Sequence, residues 1–163
     1  MKRGDSAMDI ELEKPIVVIV DDTIMVLQMY QNIVKATTST SRVDVVACEN
    51  GAQAIEELGR LKFEGRQPCL LLTDLEMGSG PNGFAVAALG RDLFPDMLIM
   101  IASGDHATLE DAIQEESGKN KYRYGFKPIG TGLLKALVRE SVESWRRNAP
   151  SRMSVIPQRT LLL

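Results

Sequence analysis

Ile16-Val17-Val18-Ile19-Val20-Asp21-Asp22 is the stretch that decides the fold. Its first five residues are all β-branched and apolar, a run too short for a helix and without the alternation of a strand that has one wet face. A strand of this kind is buried on both faces, as strands of parallel sheets covered by helices are. It ends abruptly on two carboxylates. From Thr23 to Ala36 the apolar positions Leu27, Tyr30, Ile33 and Val34 recur at helical spacing, with Thr23 available as a cap. The same unit then repeats. Strands are predicted at Val43–Ala47, Cys69–Thr73, Met97–Ala102 and Tyr122–Phe126, and helices over Ala52–Lys62, Phe84–Leu93, Ala107–Glu116 and Gly132–Arg147. Five strand–helix units in strict alternation predict an α/β protein with a doubly wound, five-stranded parallel sheet and five helices.

A chain of 163 residues, 44% hydrophobic, suits one folded domain, here spanning 15–148. Residues 1–14 and 149–163 fall outside the alternating pattern and are expected to be a flexible extension and a flexible tail. The net charge of −3 with 25% charged residues argues against direct DNA binding. No apolar run is long enough to cross a bilayer and the amino terminus lacks a signal-peptide core, so no membrane insertion and a cytoplasmic location are expected. Cys48 and Cys69 have neither a CxxC spacing nor a histidine cluster beside them, and are expected to be buried thiols.

In doubly wound sheets the ligand lies beyond the carboxyl ends of the strands. The predicted strand ends carry Asp21, Asp22, Asp74, Ser103 and Lys127. Singly, these residues read as well as a helix cap, a turn residue or a surface charge; together on one edge they make a site. Carboxylates within about 5 Å of one another repel by several kcal/mol at an effective dielectric near 20, so Asp21, Asp22 and Asp74 call for a cation. Mg²⁺ suits such hard oxygen ligands. An aspartate beside it acts as a nucleophile toward phosphorus, and Asp74 has the position for that role. Lys127 and Ser103 would each donate to a phosphoryl oxygen.

Taken in order, this set resembles the receiver domains of two-component response regulators. It comprises the acidic pair Asp21-Asp22, the acceptor Asp74, Ser103-Gly104 and Lys127-Pro128, within Pro15 to Arg147. The resemblance implies a flavodoxin-like sheet of strand order 2-1-3-4-5 and a cis Lys127–Pro128 peptide. It implies that Asp22, Asp74 and the backbone carbonyl of Glu76 ligate Mg²⁺, with Asp21 helping through water. The implied order would set Cys48 and Cys69 about two strand spacings apart, beyond disulfide reach. It further implies a switch in which Tyr124 moves inward as the Ser103 hydroxyl turns toward phosphate. The phosphodonor would be a sensor histidine kinase or a histidine phosphotransfer protein. The output would be contact with an unknown downstream protein, because no output domain follows the last helix.

Met77 is followed by Gly78 where the family often has proline, and Gly83 comes one residue later than the family's glycine. The loop is therefore expected to be longer and more mobile. Glu76 stands where family members vary their dephosphorylation rate. The first helix carries one charge, Lys35, between Thr23 and Ala36, and its Met25 and Met29 are candidate contacts for the phosphodonor. The single histidine, His106, is expected to be an exposed helix-start residue. The expected function is that of a phosphoacceptor rather than a multiple-turnover enzyme. Two alternatives stand beside it: a degenerate receiver that only binds, and a phosphatase that passes through an aspartyl phosphate. The last would need a DxDxT motif, which Asp21-Asp22-Thr23 does not supply.

Overall fold

The computed structural model describes residues 13–37, 43–115, 119 and 121–148. The expected extension, except residues 13 and 14, and the whole expected tail lie outside the described residues, as does Glu116. In chain order the elements are β1 (Ile16–Val20), α1 (Ile24–Thr37), β2 (Asp44–Cys48), α2 (Gly51–Phe63), β3 (Pro68–Asp74), α3 (Gly83–Leu93), β4 (Leu98–Ser103), α4 (His106–Glu115), β5 (Arg123–Phe126) and α5 (Thr131–Arg147). All strand pairs are parallel and the sheet order is β2-β1-β3-β4-β5, the expected flavodoxin-like order.

The period of two in the central strands divides the core. Ile16, Val18, Val20, Leu71, Ile99 and Ile101 face one side, where they pack with Ala54, Leu58 and Leu61 of α2, Val86 and Ala87 of α3 and Leu109 of α4. Val17, Ile19, Leu70, Leu72, Met100 and Ala102 face the other side, against Leu27, Tyr30 and Val34 of α1 and Leu134, Leu137, Val138 and Val142 of α5. Each large aliphatic side chain buried here contributes about 1.5–3 kcal/mol relative to exposure. Leu71→Ala would cut into the first cluster and cost about 2–5 kcal/mol.

Local chemistry sets the helix starts. The Asn50 side chain accepts from the Gln53 N–H (2.8 Å) and the Asn82 side chain from the Ala85 N–H (3.1 Å), capping α2 and α3. At α1 the carboxylate of Asp21, rather than Thr23, provides the side-chain bond, accepting the Thr23 N–H at 2.9 Å. Across the sheet Cys48 and Cys69 are both buried and free, as expected. Among the described residues, no helix is long and apolar enough to cross a membrane.

Candidate functional site

Parallel pairing brings the carboxyl ends of the strands level. Val20 pairs with Thr73, Asp74 with Ala102 and Ser103 with Phe126. The ladder runs on past the strand ends through Leu75 N–H to Ala102 O (2.8 Å) and Lys127 N–H to Ser103 O (2.9 Å). Asp74 and Ser103 are thus the last residues of β3 and β4 rather than the first of the following loops, because both still take part in the ladder. Asp21 follows β1 and Lys127 follows β5, in a Lys127–Pro128 peptide that is cis.

Asp21, Asp22 and Asp74 each offer a carboxylate oxygen, and these oxygens lie within 4.8 Å of one another. Asp21 and Asp74 are buried and Asp22 is exposed, so the group is open to solvent on one side only. Lys127 Nζ stands 2.5 Å from Asp21 Oδ2 and 3.2 Å from Asp74 Oδ1. One ammonium thus bridges two carboxylates and leaves excess negative charge. Burial pushes the Asp74 carboxyl above its ordinary value; Lys127 pulls it back, Asp21 and Asp22 add to the push, and the net shift is upward. Burial acts to lower the Lys127 ammonium, but its bonds and charge interactions with Asp21 and Asp74 hold it above the ordinary lysine value. Hard oxygens, surplus negative charge and one solvent-facing side fit a small divalent cation.

Ser103 is fully buried. Its Oγ accepts the Asp105 N–H at 2.9 Å, and its hydroxyl is directed at Glu76 Oε1 (3.4 Å) or Asp105 O (3.5 Å), so in this structure it turns toward Glu76 rather than Asp74. Tyr124 is half-buried and packs against the cluster that contains Ile101 and Leu109. His106 is exposed and opens α4, as expected; its ring centroid lies 4.4 Å from that of Phe126. Met25 and Met29 are 80% and 42% exposed, beside a 56% exposed Ile24, and form an apolar face on the first turns of α1.

The loop between β3 and α3 is held more closely than its composition suggests. Met77 is buried in the core, and the Gly83 N–H donates to Leu75 O at 2.9 Å. A Cβ on Gly83 would stand 2.2 Å from the Asp74 carbonyl oxygen, and one on Gly51 would stand 2.1 Å from the Pro81 carbonyl oxygen. Glycine is required at both places by close backbone approach rather than by an unusual φ. Between Met77 and Pro81, Gly78 (φ 64) and Gly80 (φ 97) take left-handed conformations. Sequence reading missed Gly51; its only local signal is the pair Asn50-Gly51, which looks like a turn.

Fold and site together define a doubly wound α/β domain whose sheet carries, at its carboxyl edge, an acidic cluster bridged by one lysine. No family model matches the sequence, and no curated protein matches it. Solved structures do, and they are mostly response-regulator receiver domains. The receiver protein from Sinorhizobium medicae WSM419 is 28% identical over 82% of this chain and 98% of its own, with a TM-score of 0.63. A receiver domain protein from Clostridium thermocellum is 17% identical over 81% and 97%, TM-score 0.65. A CheY-like receiver domain protein from Methanospirillum hungatei JF-1 is 20% identical over 83% and 99%, TM-score 0.61. The resemblance read from the sequence holds in three dimensions: the chain has the fold of a response-regulator receiver domain.

Proposed function

We propose that this chain is a phosphoacceptor response regulator in which Asp74 takes a phosphoryl group from a histidine kinase or a histidine phosphotransfer protein. The observation that carries the reading is the triad of carboxylate oxygens within 4.8 Å, bridged by Lys127 at the carboxyl edge of the sheet. An Asp74 oxygen forms the new bond to phosphorus, and the bond from phosphorus to the donor's imidazole nitrogen breaks with its electron pair left on that nitrogen. Asp21, Asp22, Asp74 and the Glu76 backbone carbonyl would hold Mg²⁺, which when bound neutralises charge on the phosphoryl oxygens. Lys127, already 3.2 Å from Asp74, gives a positive donor to one phosphoryl oxygen. Ser103 turns its hydroxyl to another, and Tyr124 follows inward, biasing a pre-existing equilibrium that a protein partner reads. The phosphorylated state is the signal, so the chain need not turn over an external substrate. Met25 and Met29 offer the donor an apolar docking face beside Asp22. The cytoplasm is the proposed place of action.

The test is incubation with a small acyl-phosphate donor and Mg²⁺, followed by intact mass. One phosphoryl adduct on the wild type, absent from Asp74→Asn, supports the reading. No adduct under any condition argues for a binding module instead, and steady hydrolysis of many phosphate esters argues for a phosphatase.

A further inference from the structure

The Ser103 hydroxyl has an unusual second acceptor. Its Oγ lies within reach of the Asp105 carbonyl at 3.5 Å and of the Glu76 carboxylate at 3.4 Å, and of these the carboxylate is the stronger acceptor because it is charged. Ser103 is fully buried at the end of β4 whereas Glu76 is exposed, so the serine stays in place while the glutamate can leave without any loss of packing. Glu76 is also a fourth acidic side chain on an edge where Lys127 is the cation paired with Asp21 and Asp74. It lies only two positions from Asp74 in sequence.

We propose that Glu76 is a positioning residue, a latch that holds the Ser103 hydroxyl away from Asp74 until a phosphoryl group arrives. This rests on the reading of Asp74 as the acceptor. The acyl phosphate carries roughly 1.5–2 negative charges where the Asp74 carboxylate carried one, two residues from Glu76, and offers Ser103 a competing set of acceptor oxygens. Repulsion then withdraws the glutamate as the hydroxyl turns. The side chain of Glu76 thus sets how much of the unphosphorylated chain already has Ser103 turned, a role separate from that of its backbone carbonyl.

The experiment follows the backbone amide resonances of Ser103, Gly104 and Asp105 in the full chain, before and after treatment with a small acyl-phosphate donor and Mg²⁺. Without donor, Glu76→Ala should move these resonances along the line toward their positions in phosphorylated wild type. The turned population should rise about 2- to 10-fold, as loss of one modest hydrogen bond allows. Glu76→Gln keeps an oxygen acceptor and should stay near unphosphorylated wild type. Adding Glu76→Ala to Ser103→Ala should change nothing further, and the unfolding midpoint of Glu76→Ala should fall by no more than the loss of that one hydrogen bond allows, because the side chain is exposed. Resonances of Glu76→Ala that stay put or leave that line, or a Glu76→Gln that moves as far as Glu76→Ala, would overturn the latch while the phosphoryl adduct still forms on Asp74. A wild type that forms no adduct by intact mass would overturn the reading of Asp74 and the latch with it.

Discussion

Replacing Asp74 with asparagine separates what the acidic cluster costs from what it does. The Asp74 carboxylate is 8% exposed, stands 3.2 Å from Lys127 Nζ and lies within 4.8 Å of the oxygens of Asp21 and Asp22. At an effective dielectric of about 20, the attraction is worth about 5 kcal/mol and each repulsion at least about 3.5 kcal/mol. Water screens the share of the exposed Asp22, so these contributions come close to cancelling. Burial then decides the sign, and it disfavours the ionised form. Asparagine has nearly the same shape and escapes that penalty, and Lys127 keeps Asp21 as its partner at 2.5 Å. Without divalent cation at neutral pH, Asp74→Asn should be more stable than wild type by about 1–2 kcal/mol, read from urea unfolding at constant slope. Because the folded-state value of Asp74 is raised, the native chain holds its proton longer than the unfolded chain does. Wild-type stability therefore falls as pH rises from the ordinary aspartate value, about 3.9, through the raised one. The gap between the two proteins should be small below that window and full above it. Mg²⁺ at about tenfold its dissociation constant should return about 1.4 kcal/mol to the wild type and much less to the variant. An Asp74→Asn chain less stable than wild type at neutral pH without cation would mean that the pairing with Lys127 outweighs the burial of the Asp74 charge.

Other outcomes follow from neighbouring contacts. Gly83→Ala sets a Cβ 2.2 Å from the Asp74 carbonyl and should cost about 1–3 kcal/mol and slow adduct formation per folded molecule, whereas Gly59→Ala, in open space within α2, should stabilise by about 0.4–1 kcal/mol; thermal unfolding and intact mass check both. Lys127→Ala removes the cation paired with Asp21 and Asp74, so calorimetry should find tighter Mg²⁺ binding while phosphoryl uptake is lost. Burial pushes the Cys48 thiol up to about 12 and Cys69 is buried as well, so neither should react with a thiol reagent at mildly alkaline pH until the chain unfolds. Met25→Lys should slow transfer from a cognate phosphodonor protein and leave phosphorylation by a small-molecule donor unchanged; unchanged protein-to-protein rates would remove α1 as the docking face.

The sheet was legible because its signals are local. Ile16–Val20 has the bounds the apolar run implies, and elsewhere strand ends move by a residue or so where tertiary pairing overrides composition. β3 gains Pro68, which pairs with Ile16, and Asp74, which pairs with Ala102; neither partner is visible in the local sequence. Asp21, Asp22, Asp74 and Lys127 were legible as an ordered set, since strand ends in a doubly wound sheet share one edge, and they do meet. What escaped is long-range geometry. The Gly51–Pro81 approach, the turn of Ser103 toward Glu76 and the Arg91 guanidinium that donates to Pro95, Met97 and Lys121 carbonyls join segments that composition alone leaves unconnected. The buried Tyr30 is a further case: burial raises its phenol, and Lys127, Asp21 and Asp74 all act on it, though its helical spacing marks it only as core.

Borohydride reads directly whether Asp74 carries the phosphoryl group. Reduction of an acyl phosphate converts the modified aspartate to homoserine, which peptide mapping locates. After treatment of the full chain with a small acyl-phosphate donor and Mg²⁺, homoserine is expected at position 74 alone. Homoserine at position 21 or 22, or a borohydride-resistant phosphate on Ser103, would contradict it.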